Sequence, residues 1–234
     1  AAAGRRVGFS RRTRAPARAN AGRAAADDRE PALATAVASQ LVALRFERGV
    51  LRALDQTALP HDEHELELRS AEQVADAIRR LAIRGAPLIG VAAVYGVALE
   101  LARDPSAAAL HRADHLLRST RPTAVNLARA LDRVRAAVDP ADLARTALNE
   151  AQAIEREERE ASDAIAAHGA ELLRTARTVL THCNTGALAA PGRGTALAVI
   201  AELGARGALD RVIVTESRPL LQGARLTAYE LARM

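Results

Sequence analysis

No lysine and no tryptophan occur anywhere in this chain, and cysteine occurs once. A single cysteine excludes an internal disulfide framework, which fits a reducing, cytoplasmic setting. Without lysine, all 33 basic residues are arginine, and a GC-rich coding sequence explains this better than a need for guanidinium groups. Aromatic residues are only 2% of the 234, and much of the apolar content is alanine. That bias favours helices and close packing of small side chains. Long apolar runs are also missing. The longest, "LIGVAAVYGVAL" at 88–99, has 12 residues, too few to span a bilayer. No charged start followed by an apolar core and cleavage site is visible, so neither a membrane nor a secretory reading is supported.

What remains is enough for one large domain or two modest ones. The net charge of +5 and the pI near 10.6 suggest nucleic acid at first sight. Their distribution argues otherwise. Arg5, Arg6, Arg11, Arg12, Arg14, Arg18 and Arg23 fall within residues 1–26, where there is no acid. Beyond them, 26 arginines face 28 acids, a net of −2. The basic character belongs to a tail, and no nucleic-acid partner is expected for the folded part. Residues 1–32 lack apolar periodicity and are expected to form a disordered Arg/Ala-rich extension.

Two grammars follow. "LVALRFERGVLRAL" (41–54), turning near Gly49, reads as a β-hairpin, and the alternating "HELELR" (64–69) supplies a third strand. Ser70 and Gln73 have capping-box spacing ahead of an amphipathic helix. Arg84-Gly-Ala-Pro87 ends that helix and opens another, roughly 87–103, which is apolar nearly all round and should be central. An amphipathic helix opened by Pro122 runs to 138, and a long one reaches about Gly169. Its "EREERE" (155–160) reads as a solvated, salt-bridged face. From 178 the pattern changes to strand (178–183), helix (194–207), strand (211–217) and a last helix (224–233). This is a βαβ unit with parallel strands and a right-handed crossover. The expected fold class is α/β: a mainly helical N-terminal domain with a small β-hairpin sheet (33–140), then a linker helix and a Rossmann-like parallel sheet (141–234). Two parallel strands do not make a complete covered sheet. The expectation is therefore that this sequence is the front part of a longer α/β protein.

Ligands of open parallel sheets collect outside the carboxyl ends of the strands. Cys183 stands at such an end, followed by Asn184-Thr-Gly186 and Gly192-Arg-Gly194, whose amides could face an anion. The second strand ends at Glu216, with Gln222-Gly-Ala-Arg225 beyond it. Together these suggest a crevice for a small phosphorylated or oxygen-rich ligand. A lone cysteine on a core strand is more commonly an inert hydrophobe. In a regular strand His182 points away from Cys183, which disfavours a Cys–His dyad. No metal-ligand spacing is present.

Four segments go further: "IRGAPLIGVAAVYG" (83–96), "RPTAVNL" (121–127), "THCNTGALA" with "GRGTAL" (181–197), and "ESRPLLQGARLTAYEL" (216–231). In order and spacing they resemble the S-methyl-5-thioribose-1-phosphate isomerase family, which is related to the regulatory subunits of translation initiation factor 2B. The resemblance implies an aldose–ketose isomerase of methionine salvage, a homodimer acting on a small phosphorylated sugar without cofactor or metal. It implies substrate contacts at Arg84, Gly85, Ala86, Arg121 and Gln222, and a catalytic role for Cys183. Paired arginines suit phosphate oxygens, and a tuned thiol can do acid–base work. Ser217 stands where the family usually has threonine, Tyr229 where it has tryptophan, and Leu88 where it has a smaller residue. The family's general-acid aspartate, in a "GADR" segment, and its Asn-Lys contact are not found here. The polypeptide alone is accordingly expected to be inactive or nearly so. The alternatives are a ribose 1,5-bisphosphate isomerase and a non-catalytic regulatory subunit.

Overall fold

Alternation and turn chemistry build the first sheet. In the structure, a computed structural model that describes residues 41–234, Leu44–Glu47 (β1) and Val50–Leu54 (β2) pair antiparallel. Arg48 and Gly49 between them both have positive φ, 52° and 77°, the backbone that a two-residue hairpin loop requires. Glu65–Leu68 (β3) pairs along the other edge of β2, with Leu51 opposite Leu68. Leu44, Leu51, Ala53 and Leu68 are buried, whereas Arg45, Arg52, Glu65 and Glu67 form ion pairs on the other face. The expected extension over 1–32 lies outside the described residues.

Five helices follow. In Ala71–Arg79 (α1) the Ser70 hydroxyl accepts from Gln73 N at 3.3 Å. The Gln73 side chain reaches one residue further back than a capping box does, accepting from Arg69 N at 2.6 Å. Ala86–Arg103 (α2) is the central helix, and every residue from Leu88 to Leu99 is buried. By length and composition alone it could cross a membrane, yet 72% of it is buried in protein. The other helices and the first sheet pack around it, which makes it a core helix. Ala107–Arg118 (α3), capped by Ser106, is absent from the expectations above. Val125–Ala137 (α4) begins three residues after Pro122, because Arg121–Ala124 forms a turn closed by Ala124 N on Arg121 O at 3.0 Å. Leu143–Leu172 (α5) is capped by Asp142 and packs on α2 and α4, and also on the later crossover helix.

The charged run on α5 is less solvated than expected. The Glu155 side chain is 16% exposed and accepts from the Tyr95 hydroxyl of α2 at 2.5 Å and from Arg159. Tyr95 is also stacked on Phe46 of β1 at 4.8 Å. Glu155 thus satisfies a buried hydroxyl that would otherwise cost folding free energy. Glu157, with Arg133, keeps the exposed ion-pair role.

Thr178–His182 (β4), Ala196–Ala205 (α6) and Arg211–Thr215 (β5) form the expected parallel βαβ unit, with His182 opposite Thr215. The last helix departs from its expected form. Gly223–Thr227 is a π-helical turn that runs into a four-residue helix, Ala228–Leu231 (α7). One hydrophobic core runs from Ala43 to Tyr229 through both parts of the chain. The expected division at 140/141 falls in the link between α4 and α5.

Candidate active site

The β4 strand ends by a backbone reversal at Cys183, whose φ is +60°, a left-handed value that is uncommon for a residue with a side chain. Three contacts hold it there. Cys183 N donates to Thr215 O at 3.3 Å, and the Thr227 hydroxyl donates to Cys183 O at 2.5 Å. The sulfur lies 3.2 Å from the Ser217 hydroxyl oxygen, which in turn is 2.6 Å from Gln222 Oε1. Ser217 is itself fixed: its N–H meets Glu216 and its carbonyl accepts from Leu221 N at 2.9 Å. Glu216 Oε1 and Oε2 also accept from Gly223 N and Ala224 N, at 2.8 and 3.0 Å. A strand-end carboxylate therefore shapes the turn that carries Gln222. Burial would push this carboxyl up, but the three backbone donors hold it below the usual carboxylate range. His182 leaves the sulfur alone and bonds Thr215 Oγ1 at 2.7 Å, so no Cys–His dyad forms.

In the loop after Cys183, the amides of Ala187 and Leu188 face the protein's own Glu230, from α7. Glu230 is 3% exposed and also accepts from Asn184 Nδ2 at 2.6 Å. Burial pushes its carboxyl above the ordinary range, while these donors and the Arg84 charge oppose the rise. Gly186 and Gly194 complete the loop at backbone contact; a Cβ on Gly194 would stand 2.3 Å from Gly186 Cα. The glycines here permit close packing, and the Glu230 carboxylate lies against Gly186.

Arg84 enters from the α1–α2 turn. Its guanidinium donates to Asn184 Oδ1 at 2.7 Å and to Asn184 O at 3.2 Å. Burial lowers its proton affinity, while the nearby Glu230 carboxylate opposes that. Next to it, Gly85 has φ +95° and lies against Ala189, where a Cβ would sit 2.3 Å from the carbonyl oxygen. Ala86 is exposed at the first turn of α2. Gln56 binds the same loop from the first part of the chain, its Nε2 donating to Leu188 O at 2.8 Å. Arg225 answers from the other side by donating to Gln56 O, Thr57 O and Leu59 O.

Arg84, Cys183 and Gln222 thus converge, with Gly85 and Ala86 beside them. Arg121 does not join them by any bond: it is exposed in the turn before α4, and among the described residues its side chain makes no hydrogen bond or ion pair. Ser217 and Glu230 escaped the sequence as working parts of the site, since their partners stand 34 and 46 residues earlier. Only the position of Ser217 after a strand end hinted at its place. Among the described residues, no group of three or more His, Cys, Asp or Glu side chains could hold a metal ion. A cleft of 790 Å³ between α6 and the C-terminal residues touches Ala187 and Glu230 but not Cys183, Ser217 or Gln222. Chemically, the site offers one thiol, a neighbouring hydroxyl, an amide and a half-buried guanidinium at the carboxyl edge of a parallel sheet.

A helical layer joined to a parallel α/β unit, with a thiol at its strand ends, defines a Rossmann-like frame with a crevice at the carboxyl edge of its sheet. Comparison with known proteins places it more closely. Residues 82–234 match the Initiation factor 2 subunit family, and the chain belongs to that family. It is 50% identical over 188 residues to a methylthioribose-1-phosphate isomerase of Anaeromyxobacter sp. (strain Fw109-5), covering 80% of this chain and 55% of the relative. It is equally identical over 188 residues to an enzyme of that name from Thermus thermophilus, covering 80% and 54%. The structure is similar to 5-methylthioribose 1-phosphate isomerase from Pyrococcus horikoshii OT3 (TM-score 0.77, 33% identity), covering 84% of this chain and 58% of that one. It is also similar to the delta subunit of translation initiation factor eIF-2B from A. fulgidus (TM-score 0.73, 39% identity), covering 82% and 59%. The chain spans a little over half the length of the curated relatives it matches.

Proposed function

We propose that this chain carries the thiol and arginine side of an isomerase site. The reaction converts S-methyl-5-thio-α-D-ribose 1-phosphate to S-methyl-5-thio-D-ribulose 1-phosphate. The observation that supports it most is Cys183 at the strand end, 3.2 Å from Ser217, with Arg84 bonded to the next residue, Asn184. In this reading residues 33–140 supply Arg84, Gly85, Ala86 and Arg121, and residues 141–234 supply Cys183 and Gln222. The functional unit is a cytoplasmic homodimer.

The substrate's C1 carries the phosphate, so simple ring opening releases no free aldehyde. The bond between C1 and the ring oxygen must break while that oxygen gains a proton. A hydrogen then moves from C2 to C1, and the C2 hydroxyl loses its proton as the carbonyl forms. Protons balance without an external oxidant or reductant. A polarised thiol beside C1 and C2 can carry or stabilise that transfer, while a guanidinium fork holds phosphate oxygens.

Because Cys183 is the only cysteine, its alkylation rate reports ligand binding without turnover. Methylthioribose 1-phosphate should slow alkylation, Arg84→Ala should weaken that protection, and unphosphorylated methylthioribose should give none. Unchanged alkylation at saturating sugar phosphate would overturn the reading and favour the non-catalytic role that the initiation-factor relative suggests. Stronger protection by ribose 1,5-bisphosphate would instead reassign the substrate.

A further inference from the structure

The Ser217 hydroxyl has one proton and two neighbours that can take it. Gln222 Oε1 is 2.6 Å away and Cys183 Sγ is 3.2 Å away. A serine hydroxyl donates once and accepts through its lone pairs. While the proton lies on Gln222, the sulfur can only donate its own S–H to Ser217 Oγ, and that bond requires the thiol to stay protonated. A thiolate, having no hydrogen, needs the Ser217 proton turned toward it, and a charge-assisted bond of that kind is the stronger one. The two acceptors therefore compete. The rest of the surroundings do not remove the competition, because Ser217 N–H and C=O are both engaged with Glu216 and Leu221 N.

We propose that Ser217 is a positioning residue that couples Gln222 to the Cys183 thiol. With Gln222 unengaged, its carbonyl oxygen competes for the serine proton, so the hydroxyl stabilises the thiolate only in part. When a ligand's hydroxyl or phosphate draws the Gln222 amide away, the serine proton rotates to the sulfur and stabilises the thiolate. Ligand engagement at one residue thereby readies the acid–base group at another. The inference rests on the reading of Cys183 as the working thiol and names how the same site is primed. The charged groups next to Cys183 are Arg84, from the α1–α2 turn, and Glu230, from α7, both bonded to the adjoining Asn184. Glu216 adjoins Ser217, and His182 is turned away to Thr215. None of these is altered in the variants below.

The test uses the full 234-residue chain, iodoacetamide and the single thiol, following alkylation rate across neutral and alkaline pH. No substrate is needed, so failure of the isomerase reading would leave the result intact, and failure here would leave substrate protection intact. Ser217→Ala should move the alkylation midpoint up by about one pH unit, which corresponds to roughly tenfold slower alkylation on the rising limb. Ser217→Thr, which keeps a hydroxyl, should restore it. Gln222→Leu, which frees the proton, should move the midpoint down. The double variant should behave like Ser217→Ala, since without the hydroxyl Gln222 has nothing to withhold. A midpoint unmoved by Ser217→Ala, or one moved upward by Gln222→Leu, overturns the coupling. If circular dichroism shows that Ser217→Ala is unfolded, the downward shift in Gln222→Leu and the unshifted Ser217→Thr decide the matter alone, and their absence overturns it.

Discussion

Cys183, Gly85 and Glu230 are each held in a state that an isolated residue would avoid. The cysteine has a left-handed backbone, the glycine touches another strand of backbone, and the glutamate is a buried carboxylate. Gly85→Ala tests the second. An added Cβ would meet Ala189 at 2.3 Å while the backbone stays at φ +95°, so strain and clash act together. A destabilisation of about 2–4 kcal/mol follows from such effects, readable as a lower midpoint in urea. Glu230→Gln tests the third. Asn184 Nδ2 and two backbone N–H groups all donate to Glu230, whereas an amide offers one acceptor oxygen and turns donors toward donors. Hydrogen exchange at Ala187 and Leu188 should accelerate, with a cost of about 1–3 kcal/mol for each donor left unpaired. Glu230 was invisible in the sequence because "AYEL" carries no local signal of a carboxylate. Its meaning comes from a loop 46 residues earlier. The strand ends marked Cys183 and the segment carrying Gln222 as a place where ligands collect, whereas the roles given to them rest on the family resemblance. Arg121 was legible only by resemblance, and the structure gives it no partner among the described residues.

Among the elements, several that rest on period and turn residues matched their sequence pattern, although α3, capped locally by Ser106, was not expected. The hairpin with Gly49, the Ser70 cap and the βαβ unit follow from period and turn residues. The start of α4 was displaced because Pro122 permits a first helical turn without imposing one; the Arg121–Ala124 turn intervenes. The last helix was mistaken in type because its entrance is shaped from outside by Glu216. That carboxylate bridges β5 and the π-helical turn through Gly223 N and Ala224 N. Since its folded-state affinity for a proton is depressed, the stability it contributes is present above the ordinary carboxylate range. It is lost as pH falls through the lower, folded value. Glu216→Gln should flatten the acid limb of the stability curve between those limits. Glu230 has the opposite sign: with its affinity raised by burial, its contribution is present below the unfolded value and lost as pH rises through the folded one. The slope missing from Glu216→Gln and the slope missing from Glu230→Gln should therefore run in opposite directions in urea titrations.

At the scale of the molecule, the two parts of the chain share one core but end in unequal surfaces. The helical part encloses α2 on all sides, whereas the β4–β5 pair is open on one face. Leu180 and Ile213, which pair in register on adjacent strands, are 66% and 42% exposed. Parallel strands are normally covered on both faces, and paired exposed apolar side chains at a strand pair invite association. His182 and Thr215, paired in register at the strand ends, are joined to each other by a hydrogen bond, so the open face is apolar at its middle and polar at the site end. The 234-residue chain should accordingly self-associate and bind an apolar dye in proportion to that face. Leu180→Ser with Ile213→Ser should reduce both, as read by light scattering and dye fluorescence. Because neither side chain contributes to the core, the urea midpoint should move by no more than about 0.5 kcal/mol per substitution. A large loss of stability instead would mean that the two residues are packed within the chain itself.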